Sequence, residues 1–145
     1  KVGISDLILL KPGKFTDEEY EIMKTHTLIG AETLEEVDKK FGNNAFINMG
    51  KVIARSHHER WDGQGYPDGL KREQIPLPAR IMAIADVYDA LSTKRIYKDP
   101  YSQEKCVEII KEGSGTQFDP IIVEAFLQIT DAFYNVRAEL EDMKV

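Results

Sequence analysis

Apolar residues recur at the three-to-four-residue spacing of α-helices in five segments of this chain, and turn-forming residues separate the segments. The first predicted helix covers about 17–40, and Thr16 and Glu19 form a capping box at its start. The second predicted helix runs from Ala45 to about His58. No segment alternates apolar and polar residues for long enough to predict a strand. The pattern therefore predicts an all-α protein.

The middle of the chain is predicted to be a long loop. Residues 61–80 hold three glycines and three prolines, which break helices. A loop of that length is usually functional or disordered, and Trp61 and Tyr66 favour order. These two rings either stack on a ligand or pin the loop. A third helix is predicted from Ala79 to about Leu91.

Two further helices are predicted in the last third of the chain. Ser102 is the expected N-cap of the fourth, and the glycines from Gly113 end it. Asp119 and Pro120 are the expected N-cap and first residue of one long last helix. Its apolar positions are expected to run from Ile122 to Val136.

Composition narrows the possible functions of the protein. Its 145 residues suit a single domain over 1–145, with a core that needs no disulfide. The net charge of −6 argues against general nucleic-acid binding, which usually needs a basic surface. No apolar run reaches the length of about 20 residues that spans a bilayer. The single cysteine, Cys106, is typical of a cytoplasmic protein and excludes a cysteine-rich zinc site.

The chain has three histidines, and two of them are neighbours. On one continuous helix, His57 and His58 would point about 100° apart and would bind one metal ion unequally. They could reach two ions, or one ion and the substrate. Two close metal ions are a common device for phosphate-ester hydrolysis. His26 lies on the apolar face of the first helix, where it is either a third ligand or a hydrogen-bonded core residue.

One carboxylate and two cations complete the candidate chemistry. Asp86 lies among apolar residues of the third helix, where a carboxylate needs a metal ion, an arginine or a helix cap as partner. Arg95 and Lys98 follow that helix. They either bind phosphate or form a solvated basic turn.

Several ordered motifs, covering the chain to about Leu127, resemble those of HD-GYP domains. The resemblance is strongest in His57-His58-Glu59-Arg60-Trp61-Asp62-Gly63, Gly65-Tyr66-Pro67-Asp68-Gly69-Leu70, Ala83-Ile84-Ala85-Asp86-Val87-Tyr88-Asp89-Ala90-Leu91 and Ser114-Gly115-Thr116-Gln117-Phe118-Asp119-Pro120. HD-GYP domains are all-helical phosphohydrolases that hydrolyse cyclic di-GMP. The resemblance therefore implies an all-α bundle of the HD-domain type, with about five main helices here.

The resemblance also implies roles for individual residues. It implies that two or three iron or manganese ions bind to His26, His57, His58 and Asp86. It implies that Lys1 and Asp86 take part in catalysis. It further implies that Tyr66 shapes the nucleotide pocket and that Arg95 and Lys98 hold the substrate phosphates.

The family's His-Asp pair, which precedes a Gly-Lys dipeptide, is missing because Lys1 aligns with that lysine. We therefore expect the 145 residues to be an N-terminally truncated fragment that binds metal weakly and is inactive alone. An exposed apolar face would then favour a homodimer, formed by exchange of the last helix.

Three alternatives remain open for function. The substrate could be cyclic GMP-AMP, since small changes in the loop would admit adenine. The domain could also be a non-catalytic docking module, because the family's Gly-Tyr-Pro loop is a proposed contact for diguanylate cyclase domains. A helical scaffold with a hydrogen-bonded core histidine is the third possibility.

Overall fold

The computed structural model describes residues 1–42, 44–93 and 99–142, which contain eight α-helices and one short 3-10 helix, Arg72–Gln74. The α-helices are α1 (Asp6–Leu9), α2 (Asp17–Lys24), α3 (His26–Phe41), α4 (Ala45–Ser56), α5 (Leu77–Ser92), α6 (Gln103–Glu112), α7 (Pro120–Leu127) and α8 (Thr130–Asp142). The described ranges contain no named strand, only one isolated bridge between Ser114 and Phe118. The all-α prediction is confirmed, and five of the eight α-helices, namely α3, α4, α5, α6 and α8, have ten or more residues.

The first predicted helix is divided at Thr25. The Thr25 hydroxyl donates to the carbonyl of Ile22 at 2.7 Å, and the Thr27 hydroxyl donates to the carbonyl of Lys24 at 2.9 Å. His26 Nδ1 binds the carbonyl of Met23 at 2.6 Å. Side chains thus take the carbonyls that a continuous helix would use, so α2 ends and α3 begins. The capping box of Thr16 and Glu19 is present as predicted.

Helices α3 and α4 pack as a pair that is joined by a short turn. Small residues let the two backbones approach each other. A Cβ added to Gly30 would lie 3.5 Å from the Ala54 Cβ, and one added to Gly50 would lie 3.4 Å from Leu34. Because the helices lie this close, the start of α3 is held beside the end of α4. The histidines occupy these two positions.

Helix α5 joins the two halves of the molecule, since it contacts α4, α6 and α7. It begins at Leu77 rather than at Ala79, because proline is accepted in the first turn of a helix. Its inner face enters the main core cluster with residues of α6, α7 and the loop between them. The buried members are Ala83, Ile84, Tyr88, Cys106, Ile110, Phe118, Val123 and Phe126.

The predicted long last helix is two helices, α7 and α8. The final turn of α7 tightens, since the amides of Gln128 and Ile129 bind carbonyls three residues back. Phe126 is buried and Phe133 packs against the same core. The chain's own core therefore covers part of the apolar stripe that we expected to exchange between subunits. Val136, at 56 % exposure, remains accessible.

Among the described helices, none combines the length and the apolar character that crossing a bilayer requires.

Candidate metal centre

The three histidines meet where α3 begins and α4 ends. Their candidate ligand nitrogens, from His26, His57 and His58, all lie within 4.8 Å of one another. The ring centroids of His57 and His58 are 4.0 Å apart, and both lie within 5.5 Å of the centroid of His26. The described part of the chain holds no other such group of metal-binding side chains. The cluster is therefore the candidate metal centre.

The expected divergence of His57 and His58 was wrong. Helix α4 ends at Ser56, and His57 is its C-cap. Because the helix stops there, the 100° rotation between neighbours does not apply to this pair. The two rings lie side by side with an interplanar angle of 37°.

Hydrogen bonds orient two of the three rings. A carbonyl can only accept, so Nδ1 of His26 donates to Met23 and Nδ1 of His57 donates to Ile53 at 2.9 Å. Each ring then carries its lone pair on Nε2. The Nε2 atom of His26 is buried and has no hydrogen-bond partner. Metal-binding histidines are commonly held through the other ring nitrogen in this way, and the orphaned Nε2 fits a metal ligand.

The electrostatics of the cluster favour neutral rings. Burial, together with the nearby charges of His57, Lys1 and His26, lowers the pKa of His58 to about 3. Burial likewise lowers the pKa of His26, against an opposing effect of its hydrogen bond to Met23. Neutral imidazole is the form that binds metals. The influence of Lys1 on both histidines also places its charge close to the cluster.

The loop after the histidines is folded back on them by Glu59. This carboxylate is 3 % exposed and accepts the backbone N–H groups of Asp68 at 2.7 Å and Leu70 at 3.0 Å. Burial raises the pKa of Glu59, which the loop's N–H groups partly oppose. At Gly65 a Cβ would lie 2.4 Å from the nitrogen of Arg60, so only glycine fits there.

A pocket of about 320 Å³ opens beside the cluster. The lining residues are Tyr20, His57, His58, Glu59, Arg60, Gln64, Gly65, Tyr66, Ala83, Asp86, Val87 and Gln117. Tyr66 forms an aromatic wall, with its ring centroid 4.9 Å from that of His58. Its pKa is raised, chiefly by burial, so the phenol is protonated at neutral pH. Tyr66 therefore lines the pocket, and its role in shaping a nucleotide site stays a prediction.

Asp86 lies on the pocket wall, but it is not buried among apolar side chains as the sequence suggested. The inner face of α5 carries Ala83, Ile84 and Tyr88, whereas Asp86 is exposed to the pocket. Its carboxylate falls outside the group of nitrogens within 4.8 Å. Asp89, three residues on, instead lines a separate groove between α5 and α8.

The remaining predicted residues divide into two groups. Trp61 is not part of the pocket lining; the guanidinium of Arg80 lies 5.9 Å from its ring centroid, and its backbone binds Gln117 and Arg72. It therefore pins the loop, which was one of the two predicted roles. Arg95 and Lys98 lie outside the described residues.

Sequence reasoning missed three contributors to the site. Glu59 was identified only as part of a motif, although a carboxylate directly after two histidines could have marked it as a site residue. Gln117 comes to the pocket from a distant loop, and it was identified only as part of the motif from Ser114 to Pro120. Arg80 and Asp119 form a buried ion pair at 2.6 Å that holds this loop. Their separation of 39 residues hides the pair in the sequence.

We expect Glu59→Gln to loosen the loop. An amide can accept only one of the two N–H groups and turns its own N–H toward the other, which costs about 1–3 kcal/mol. Hydrogen exchange at the Asp68 and Leu70 amides should accelerate about tenfold or more. Glu73→Gln, on the exposed 3-10 helix, is the matched control and should change neither amide. Unchanged exchange in Glu59→Gln would refute the anchoring role.

Comparison with known proteins agrees with the all-helical fold. Residues 5–122 match the family described as HD domain. A protein of Vibrio cholerae named cyclic di-GMP phosphodiesterase is 51% identical over 98% of this chain and 29% of its own length. One of Thermotoga maritima with the same name is 46% identical over 96% of this chain and 38% of its own length. A 3'3'-cGAMP-specific phosphodiesterase of Vibrio cholerae is 44% identical over 98% of this chain and 26% of its own length.

This chain belongs to the HD-domain family, and its resemblance to HD-GYP domains is confirmed. The chain spans between about a quarter and two fifths of the length of these relatives.

Proposed function

We propose that this chain is the catalytic part of a metal-dependent phosphodiesterase in bacterial signalling. Its substrate is cyclic di-GMP, and its product is the linear dinucleotide or GMP. The observation that carries the proposal is the buried, unpartnered Nε2 of His26, which lies with His57 and His58 in one cluster. The substrate is inferred from relatives of that name that are up to 51% identical over nearly the whole chain.

The proposed cofactors are two or three divalent ions, iron or manganese. His26, His57 and His58 would hold them, with Asp86 joining from the pocket wall. Nitrogen and carboxylate donors without thiolate suit these metals. When bound, such ions activate water and stabilise the charge that develops on phosphate.

The chain's own residues bind and orient the substrate in this proposal. The carbonyls of Met23 and Ile53 hold two imidazoles in the tautomer that leaves Nε2 free. Tyr66 closes one wall of the pocket and excludes water from it. Lys1, whose charge helps to lower the pKa of His26 and His58, is proposed to stabilise negative charge during catalysis. Arg95 and Lys98 are proposed to bind the phosphates.

The proposal includes two protein partners, a diguanylate cyclase domain and a second copy of this chain. The loop exposes Gln64, Asp68 and Gly69, which offers a contact surface to a diguanylate cyclase domain. A homodimer would use the accessible apolar residues of α8, among them Val136. A docking module that uses only the loop surface is the competing function.

The test compares Asp86→Asn with Asp89→Asn in the full natural protein, loaded with Mn²⁺ and supplied with cyclic di-GMP. We expect wild type to hydrolyse the substrate and Asp86→Asn to lose about 10- to 100-fold in kcat/KM and in Mn²⁺ affinity. Asp89→Asn removes the same charge on the same helix outside this pocket, so it should stay within about twofold of wild type.

Wild-type protein that binds cyclic di-GMP without hydrolysing it would contradict the enzyme and favour the docking module. Equal activity in the two aspartate variants would remove Asp86 from the site.

A further inference from the structure

Two charged side chains of the pocket, Glu59 and Arg60, already have hydrogen-bond partners. Both oxygens of Glu59 bind loop amides. The guanidinium of Arg60 makes two hydrogen bonds to Asp62, at 3.2 and 2.8 Å. Within the described ranges, the amide side chain of Gln117 makes no hydrogen bond, although it lines the pocket and is half-buried. A neutral group with both donor and acceptor atoms is thus available to a ligand.

The backbone of Gln117 is firmly held. Its N–H donates to the carbonyl of Gly113 at 3.0 Å, and its carbonyl accepts the N–H of Trp61 at 3.2 Å. The carbonyl of Thr116 accepts the N–H of Asp62 at 2.8 Å, and Phe118 is 2 % exposed. Because the backbone is already fixed, only the side chain of Gln117 would lose conformational freedom when it binds a ligand.

The chemistry of an amide selects which part of a dinucleotide it contacts. Phosphate oxygens are best held by cations, and metal ions at the histidine cluster would supply positive charge. A purine edge presents adjacent donors and acceptors, which a glutamine amide matches in pairs. We propose that Gln117 binds the base edge of the cyclic dinucleotide, an inference that rests on the function proposed above.

The pairing has a defined pattern. The amide N–H₂ donates to O6 of guanine while the amide oxygen accepts from N1–H. Turned over, the same amide pairs with N1 and the N6 amine of adenine, so Gln117 holds either purine. A carboxylate at this position can only accept, so it would pair with N1–H and the N2 amine of guanine and repel O6.

The test uses the full natural protein, loaded with Mn²⁺, and two substrates, cyclic di-GMP and cyclic di-IMP. The bases of cyclic di-IMP lack the N2 amine of guanine. Gln117→Ala should lower kcat/KM about tenfold on both, through KM and with kcat within about twofold. Gln117→Glu should raise the ratio of kcat/KM for cyclic di-GMP over cyclic di-IMP about tenfold or more relative to wild type. The added charge acts on both substrates alike and cancels in this ratio. Gln128→Glu, at an exposed position outside the pocket, is the control and should leave the ratio unchanged.

An unchanged ratio in Gln117→Glu overturns the assignment. An equal loss of Gln117→Ala activity on bis(p-nitrophenyl) phosphate, which has no base, also overturns it, because the residue would then act on the chemical step or on folding. Wild type that hydrolyses neither cyclic dinucleotide would instead refute the proposed function, and this assignment with it.

Discussion

In the full natural protein, His26→Ala is expected to reduce Mn²⁺ affinity by more than about a hundredfold and to remove phosphodiesterase activity in proportion. Changing a residue that merely supports a metal ligand typically costs 10- to 100-fold, and His26 offers the buried nitrogen itself. Metal content by elemental mass spectrometry and turnover of cyclic di-GMP measure the two effects. His57→Ala, at a less buried position, should lose metal as well, with less disturbance of the core.

The matched control for His26→Ala is Thr27→Ala. Thr27 is fully buried beside His26, and its hydroxyl binds the carbonyl of Lys24, so its loss perturbs the same helix start. This variant should lose stability and keep its metal. If Thr27→Ala loses as much metal as His26→Ala, the effect comes from local unfolding and not from a missing ligand.

Asp119→Ala is expected to be the most destabilising single change in the described core. Asp119 is 2 % exposed, accepts from Arg80 at 2.6 Å and caps α7 through the N–H of Ile121 at 2.9 Å. Its removal leaves a largely buried guanidinium without its carboxylate, which costs about 3–5 kcal/mol, and the lost cap costs about 1 kcal/mol more. Thermal unfolding should shift down by about 10 °C or more.

Two comparisons test the cause of the Asp119 effect. The double variant Arg80→Leu with Asp119→Ala should recover part of the stability, because no unpaired buried charge remains. Glu36→Ala breaks the exposed pair with Lys39 and should cost less than about 1 kcal/mol. Equal losses from Asp119→Ala and Glu36→Ala would show that burial does not govern this ion pair.

Local signals in the sequence predicted much of the helical structure. The capping box at Thr16, the N-cap at Ser102 and the Asp119–Pro120 start are all present, because each depends on residues within one turn. The breaks at Thr25 and after Leu127 were missed. At Thr25 the side chains of Thr25, His26 and Thr27 compete for backbone carbonyls, and the spacing of apolar residues gives no sign of that competition.

Burial at the site was harder to predict than residue type. Asp86 was expected among apolar side chains, yet only the inner face of α5 enters the core. Apolar neighbours in sequence do not determine burial, because the residues that pack against a helix face come from other parts of the chain.

The sequence by itself determined the helical class, most helix starts and the chemical identity of the candidate metal-binding side chains, since these follow from local spacing and from motif residues. Only the tertiary structure decided that His57 and His58 lie side by side, that His26 leaves Nε2 without a partner and that Gln117 reaches the pocket. The physical reason is that these features depend on where helices stop and on contacts between distant segments. The 39-residue separation of Arg80 and Asp119 is one such contact.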